Sequence, residues 1–525
     1  MFKGRGLFKI VVAIFLALFS TTMALAEKKS KGRLDTFEKT LQQMGFNVQE
    51  GLVDFPDIVD MCCECQIFSC FANNPSSPYG VFVLPPAPGQ EATNPYAEWF
   101  EVNEDNDPNN PWYDENQKDY PEGGSWFWRL RPDEAVVFLG TTPPEMTYFG
   151  FTGYLYDRYR YSEEVQKPPN CTAAGKDDRP SPPSSFNRIP VFASLGDTIN
   201  NRTVRVSGAK KNPFLKDVVF ILTADQKVER QVRKALHKAG YGDGMINTIV
   251  APQDLVQLGV DSESDSLLFL IRMATKITPM NPNPAVESYM ASPGRLLRLT
   301  PKKSSRLDPF PPPELRVRGV GNTEVKLLPL VDQLGKAILN TFNNYKAEPI
   351  STVNWYEGYN CIENSENCMG DNRDTPYVLP GFNPLAHIPY QDLTLNDEKE
   401  FFVVYGVNHK ATEKAIYSNI SVYGWQRKCS PVVIGDEDMV GSANAYLGSD
   451  DPAADMLYAY VIARPGGCNE IGMSDFCREV SFDCKGGVSS GEPIAIGFRA
   501  YVEPKTNVGA AYSEIVLDRI VKFTP

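Results

Sequence analysis

Two spacings of apolar residues share this chain. In the stretch from Val191 to Leu299 the run "DVVFIL" (Asp217–Leu222) has the length and β-branched content of a buried strand. Val228, Val232, Ala235 and Leu236 then recur at helical spacing until Gly240 stops the pattern. "MINTIV" supplies the next strand, so the stretch predicts a β-α-β unit with a parallel pair. Thr223 and Gln226 stand as a T-x-x-Q cap for its helix. The following "LLFLIRMA" is apolar nearly all round and predicts a buried helix beginning at Asp265 or Ser266.

Nearer the N-terminus, Asp35 and Glu38 form a capping pattern ahead of a short amphipathic helix that Gly45 ends. "GVFVL", "SWFWRLRP" and "AVVFLG" read as strands. "EMTYFGFTGYLYDRYRY" is dense in rings, and a core strand explains it better than a platform for flat ligands. A helix is expected from Glu324 to Tyr345, with Pro329 in its first turns. Beyond Cys361 the spacing becomes that of strands, in "EFFVVYG", "AIYSNISVYG", "LYAYVIA" and "IAIGFRAYV". The expected fold is α+β and multi-domain: an α/β middle portion joined to a disulfide-stapled, mostly antiparallel β C-terminal portion. Pro-rich breaks suggest units at 27–165, 190–300 and 314–525.

The first 26 residues change this picture. Lys3, Arg5 and Lys9 precede the apolar run Ile10–Phe19, and Ala24-Leu25-Ala26 follows, which is the pattern of a cleaved export signal at 1–26. That run is too short to span a bilayer, where about 20 residues are needed. No later stretch does so, and no integral membrane segment is expected once the signal is removed. A secreted, periplasmic or extracellular location follows. The 11 cysteines agree with it, falling into one group of Cys62, Cys63, Cys65, Cys70 and Cys171 and a second of Cys361, Cys368, Cys429, Cys468, Cys477 and Cys484. In an oxidising compartment such groups form disulfides, and an odd total leaves at least one thiol over. Asn170, Asn201 and Asn419 head N-x-S/T sequons, which matter only in a host that glycosylates exported chains.

The formal net charge of −13 argues against nucleic acid as a partner, because a phosphate backbone demands clustered Lys and Arg. Candidate chemistry is sparse. Only three histidines occur. His409, in "NHKATE" between two strand-like runs, is placed on a solvated hairpin loop, where a catalytic base could sit. His387 lies in a Pro-bracketed segment, and His237 near a helix end suits the helix dipole. Asp197, after a short apolar run, is a candidate carboxylate for acid–base work. Gly487-Val488-Ser489-Ser490-Gly491 matches a nucleophile elbow in letters but lacks the strand before it, and no histidine follows it. Asn103, Asp105, Asp107 and Asp114 occupy oxygen-ligand positions of a calcium loop, although Pro108 stands where such a loop needs glycine. No cofactor is expected, with calcium the one metal possible. These features imply an exported, disulfide-bonded binding or interaction protein whose ligand is a glycan, a lipid or a protein. The alternative is an extracytoplasmic hydrolase pairing a histidine with a carboxylate. The sequence decides neither whether the protein is an enzyme nor its oligomeric state.

Overall fold

The computed structural model describes residues 31–63, 73–74, 77–90, 120–160, 188–208, 212–275, 283–304, 306–355, 357–380, 382–383, 388–389, 391–425, 429–448, 454–473, 475–483 and 487–525. The β-α-β unit is present. Strand β7 (Asp217–Thr223) pairs in parallel with β8 (Ile246–Val250), and between them a helix, Gln226–Lys238, lays Val228, Val232, Ala235 and Leu236 against the sheet. Its cap is Asp225, whose carboxylate accepts from the Val228 N–H at 2.9 Å, and not Thr223. Thr223 is the last residue of the strand, and its hydroxyl donates to the Glu134 carbonyl at 2.7 Å.

Ten strands form the first sheet. In chain order they are β1 (Phe46–Asp54), β2 (Tyr79–Val83), β3 (Ala135–Thr141), β4 (Tyr148–Tyr159), β5 (Arg188–Ser194), β6 (Ile199–Asn200), then β7 and β8, β9 (Ser266–Ala274) and β10 (Gly294–Pro301). They lie in the order β5-β4-β9-β2-β1-β10-β3-β7-β8, with β6 also on β4. Strands from residues 46–159 and from 188–301 therefore share one sheet. The sheet curls, because β1 pairs through Phe46–Gly51 with β10 and through Leu52–Asp54 with β2. At the crossing, a Cβ on Gly51 would lie 2.5 Å from the Val83 carbonyl oxygen, which only glycine avoids. Phe138 and Phe220 from one half then meet Phe82, Phe151 and Phe269 from the other in a shared core.

Two sequence expectations fail here for physical reasons. Residues 266–274 form strand β9, not a helix. A strand covered on both faces is apolar throughout, and its pattern resembles that of a buried helix. Leu267, Phe269, Ile271 and Met273 enter the sheet's core while Leu268 and Leu270 face the other way. "SWFWRLRP" makes only isolated bridges, Ser125 with Leu84 and Trp128 with Leu267. The Ser125 hydroxyl takes the Phe127 N–H at 3.1 Å and bends the chain out of a ladder.

The C-terminal strands are β11 (Lys346–Ile350), β12 (Thr352–Asn354), β13 (Tyr377–Pro380), β14 (Phe382–Asn383), β15 (Ile388–Pro389), β16 (Phe401–Val407), β17 (Tyr417–Gly424), β18 (Cys429–Gly435), β19 (Leu457–Ala463), β20 (Cys477–Glu479), β21 (Ile494–Tyr501) and β22 (Arg519–Thr524). Apart from the β14-β15 ribbon they form two five-stranded sheets, β11-β22-β16-β19-β20 and β12-β13-β21-β17-β18, antiparallel except for β19-β20. Phe402, Val404 and Ile462 of one sheet pack with Ile420, Val422 and Phe498 of the other, so the pair is a sandwich. The helix Leu328–Thr341 covers the outer face of the β11-β22-β16-β19-β20 sheet through Val331, Leu334 and Ile338. The molecule is thus a mixed α+β protein, mostly sheet. Cys361–Cys368 and Cys468–Cys477 are bonded pairs, each with Cα atoms 5.9 Å apart. Cys65, Cys70, Cys171 and Cys484 lie outside the described residues, as do the side chains of Cys62, Cys63 and Cys429. Among the described residues no helix is long and apolar enough to cross a membrane.

Candidate functional site

The second sheet of the sandwich turns its outer face toward the curled sheet, and the period-2 alternation of each strand decides what meets there. On β21, Ile494, Ile496 and Phe498 enter the sandwich core, whereas Ala495, Gly497, Arg499 and Tyr501 face the gap. On β9, Leu268, Leu270 and Arg272 do the same from the opposite side, joined by Tyr79 and Val81 of β2 and Tyr156 of β4. The gap is not closed by packing. It holds a cavity of about 90 Å³ whose wall is mostly apolar and rich in rings, with Trp126, Phe127, Trp355, Tyr377, Tyr423 and Trp425 among its residues. Ring stacking stiffens the wall: Phe127 and Tyr156 have centroids 3.7 Å apart, and Tyr148 of β4 reaches Tyr501 of β21 at 4.7 Å. The aromatic density at 148–159 therefore serves both faces of β4, with Phe149 and Phe151 in the core and Tyr156 in the cavity wall.

Two guanidinium groups stand in this wall. Arg272 is 5% exposed, donates to the Tyr154 hydroxyl and, at 2.7 Å, to the Gly370 carbonyl, and lies 5.9 Å from the Tyr79 ring centroid. Burial pushes the Tyr154 phenol up to about 12, so it is neutral at ordinary pH. Arg499 donates to the Ser421 hydroxyl at 2.8 Å and lies between the Tyr377 and Tyr423 rings, 5.6 and 5.5 Å from their centroids. Both arginines were missed by sequence reasoning. The available signal was a single charge inside each apolar strand, "LLFLIRMA" and "IAIGFRAYV".

Behind the cavity, residues 370–375 tie the two portions together with buried polar groups. Asp371 accepts from the Ser194 N–H and hydroxyl, both at 2.7 Å, and from the Gly358 N–H at 2.9 Å. Asp374 accepts from Tyr148 and from Asn200, both at 2.9 Å. Burial outweighs these hydrogen bonds and raises the Asp371 carboxyl to about 6 and that of Asp374 to about 7.

The residues singled out from sequence lie elsewhere. The expected hairpin around His409 does not form, because β16 and β17 belong to different sheets. His409 is 5% exposed, and its Nδ1 lies 3.0 Å from Glu324, so it is a buried ionic residue and not a solvated turn residue. The connection 408–416 folds back instead, with the Asn408 side chain bonding the Lys410 N–H and the Glu413 N–H bonding the Lys410 carbonyl. Asp197 accepts from the Arg373 Nε at 2.7 Å and the Arg316 N–H at 2.6 Å, at the edge of a second, more polar cavity of about 470 Å³ between β4, β8 and residues 313–316. His409 and Asp197 share no hydrogen-bond or ion-pair partner among the described residues. His237 pairs with Asp243 at 3.0 Å on the helix surface. His387, Asn103, Asp105, Asp107 and Asp114 lie outside the described residues. Of the sequon asparagines, Asn419 is 1% exposed and donates to the Tyr417 hydroxyl, which leaves no room for a glycan.

No known protein family matches the chain, and no curated protein matches it. Among the solved structures that resemble it at low similarity are two. VPA0106 from Vibrio parahaemolyticus shows 11% identity and a TM-score of 0.31, over 76% of this chain and 88% of that one. A protein from Burkholderia cenocepacia, described only as uncharacterized, shows 11% identity and a TM-score of 0.32, over 95% of this chain and 98% of its own.

Proposed function

We propose that this is an exported, disulfide-bonded binding protein that holds a small molecule in the aromatic cavity between the curled sheet and the sandwich. The observation that carries the reading is the gap itself. Two sheets that could close on each other with Leu and Val instead present rings and two arginines around about 90 Å³ of free space. Protein interiors are ordinarily packed without such voids, and concave, mostly apolar sites with a few polar groups are where small ligands bind. Export is supported by the apolar leader Ile10–Phe19, and the two bonded cysteine pairs are compatible with it. His409 has no part as a base in this reading, because burial and its carboxylate partners hold it in place.

A thermal-shift panel of neutral and charged small molecules tests it, run beside Ala495→Leu, which fills the cavity from β21. The reading expects ligands that raise the Tm of the wild type and leave the variant unmoved. No shift in the wild type, or equal shifts in both proteins, would remove it.

A further inference from the structure

Two solutions that other buried guanidinium groups of this chain use are both absent at Arg272. Arg298 meets Glu134 at 2.8 Å, and Arg188 meets Asp157 at 2.8 Å, each within a fully buried ion pair. Arg464 has no such carboxylate but spends its donors on five backbone carbonyls, those of Leu395, Val480, Ser481, Val488 and Ser489. Arg272 has two neutral acceptors, the Tyr154 hydroxyl and the Gly370 carbonyl, for a group with five N–H donors. Among the described residues no carboxylate lies within 4 Å of it. An arginine cannot shed its charge when buried, so the positive charge persists in an apolar wall, where a counter-charge is worth most.

We propose that the cavity selects a short-chain carboxylate, with Arg272 as its charge partner; this rests on the reading of the cavity as a ligand site. A guanidinium offers a planar fork that matches a carboxylate in a bidentate pair, and the Tyr79, Leu268 and Leu270 side chains offer apolar surface to an alkyl tail. Size sets the tail. A cavity of about 150 Å³ admits benzene, and this one, at about 90 Å³, is smaller, which favours a chain of butyrate length or less. Arg499, the second guanidinium in the wall, donates to the Ser421 hydroxyl and is flanked by the Tyr377 and Tyr423 rings, so Arg272 is taken as the charge partner.

The test uses the full mature chain and isothermal titration with butyrate, butyramide and inorganic phosphate. Butyrate is expected to bind saturably and at least about ten-fold more tightly than butyramide, the gain of one charge-assisted pair. Arg272→Lys keeps the charge but loses the fork and should weaken butyrate without restoring butyramide. Arg272→Met should abolish the difference between acid and amide. Should Arg272→Met not fold, the wild-type acid-to-amide ratio and Arg272→Lys decide. Equal affinity for butyrate and butyramide would overturn the carboxylate inference while leaving the cavity as a ligand site. Tighter binding of phosphate than of butyrate overturns the ligand class. Failure of every panel compound to bind overturns both this inference and the reading beneath it.

Discussion

His409 Nδ1 lies 3.0 Å and 3.1 Å from the two carboxylate oxygens of Glu324, and Asp518 stands 3.9 Å from Nε2. Glu324 also accepts from the Thr412 hydroxyl and, at 2.9 Å, from the Val516 N–H. One buried imidazolium thus joins the start of the helix region at 324 to the β16–β17 connection and the last strand. Replacing it strands a buried carboxylate, and loss of one partner of such a pair typically costs about 3 to 5 kcal/mol. His409→Gln is therefore expected to lower the unfolding free energy measured by urea titration by an amount in that range, whereas replacing a solvated turn histidine would change it by less than about 0.5 kcal/mol.

The same residue sets a pH dependence. Burial opposes the charge on His409, but Glu324 and Asp518 outweigh it and raise the pKa to about 10. A folded value above the unfolded one, about 6.5, means that the contribution is fully present below about pH 6.5 and is lost as pH climbs to about 10. Urea titrations from pH 6 to 10 should show stability falling in the wild type and a shallower slope in His409→Gln.

Asp374 acts in a lower window. Its carboxyl is raised to about 7, so the folded state holds a proton that the unfolded chain releases near pH 4. Stability from this group falls as pH rises from about 4 to about 7. Asp374→Asn removes that slope. The difference in stability between variant and wild type should move in the variant's favour between pH 5 and pH 8, by up to about 2 kcal/mol. A constant difference would show that Asp374 is ionised throughout.

The cysteine pairs give a chemical test. Non-reducing peptide mapping of the chain should recover Cys361 linked to Cys368 and Cys468 linked to Cys477. Each closes a short loop, with sequence separations of 7 and 9, and the chain-entropy model assigns such loops about 2 to 3 kcal/mol. Replacing either pair by serines should lower stability by about that amount.

Asp225 is the cap of Gln226–Lys238, and it also takes the Asp308 N–H at 2.5 Å. Asp225→Ala should cost about 2 kcal/mol, the upper end for a lost cap, because a second backbone donor loses its partner too. Thr223→Val, at the position the T-x-x-Q pattern points to, should leave the helix intact.

The pattern of residues disclosed the elements whose faces differ. Val228, Val232, Ala235 and Leu236 occupy one side of a helix with charges on the other, and that contrast is readable without a fold. Residues 266–274 carry no such contrast, since both faces of β9 are covered, and their period was lost. His409 and Arg272 were obscured for a related reason. Their partners, Glu324 and Asp518 in one case and Tyr154 and Gly370 in the other, lie far along the chain; the fold of the sandwich portion gathers the first set, and the pairing of β9 with β4 and the docking of the sandwich portion on the curled sheet gather the second. The aromatic cavity likewise belongs to no single motif, being built from alternate residues of strands on two sheets.

Hydrogen exchange of the wild type, with and without the tightest compound from the thermal-shift panel, tests the ligand site most directly. The account predicts slowed exchange in residues 268–272 of β9 and 495–501 of β21, and none in 199–205 or 247–250 beside the second cavity. Protection centred on that second cavity, or no change at either sheet face, would contradict it.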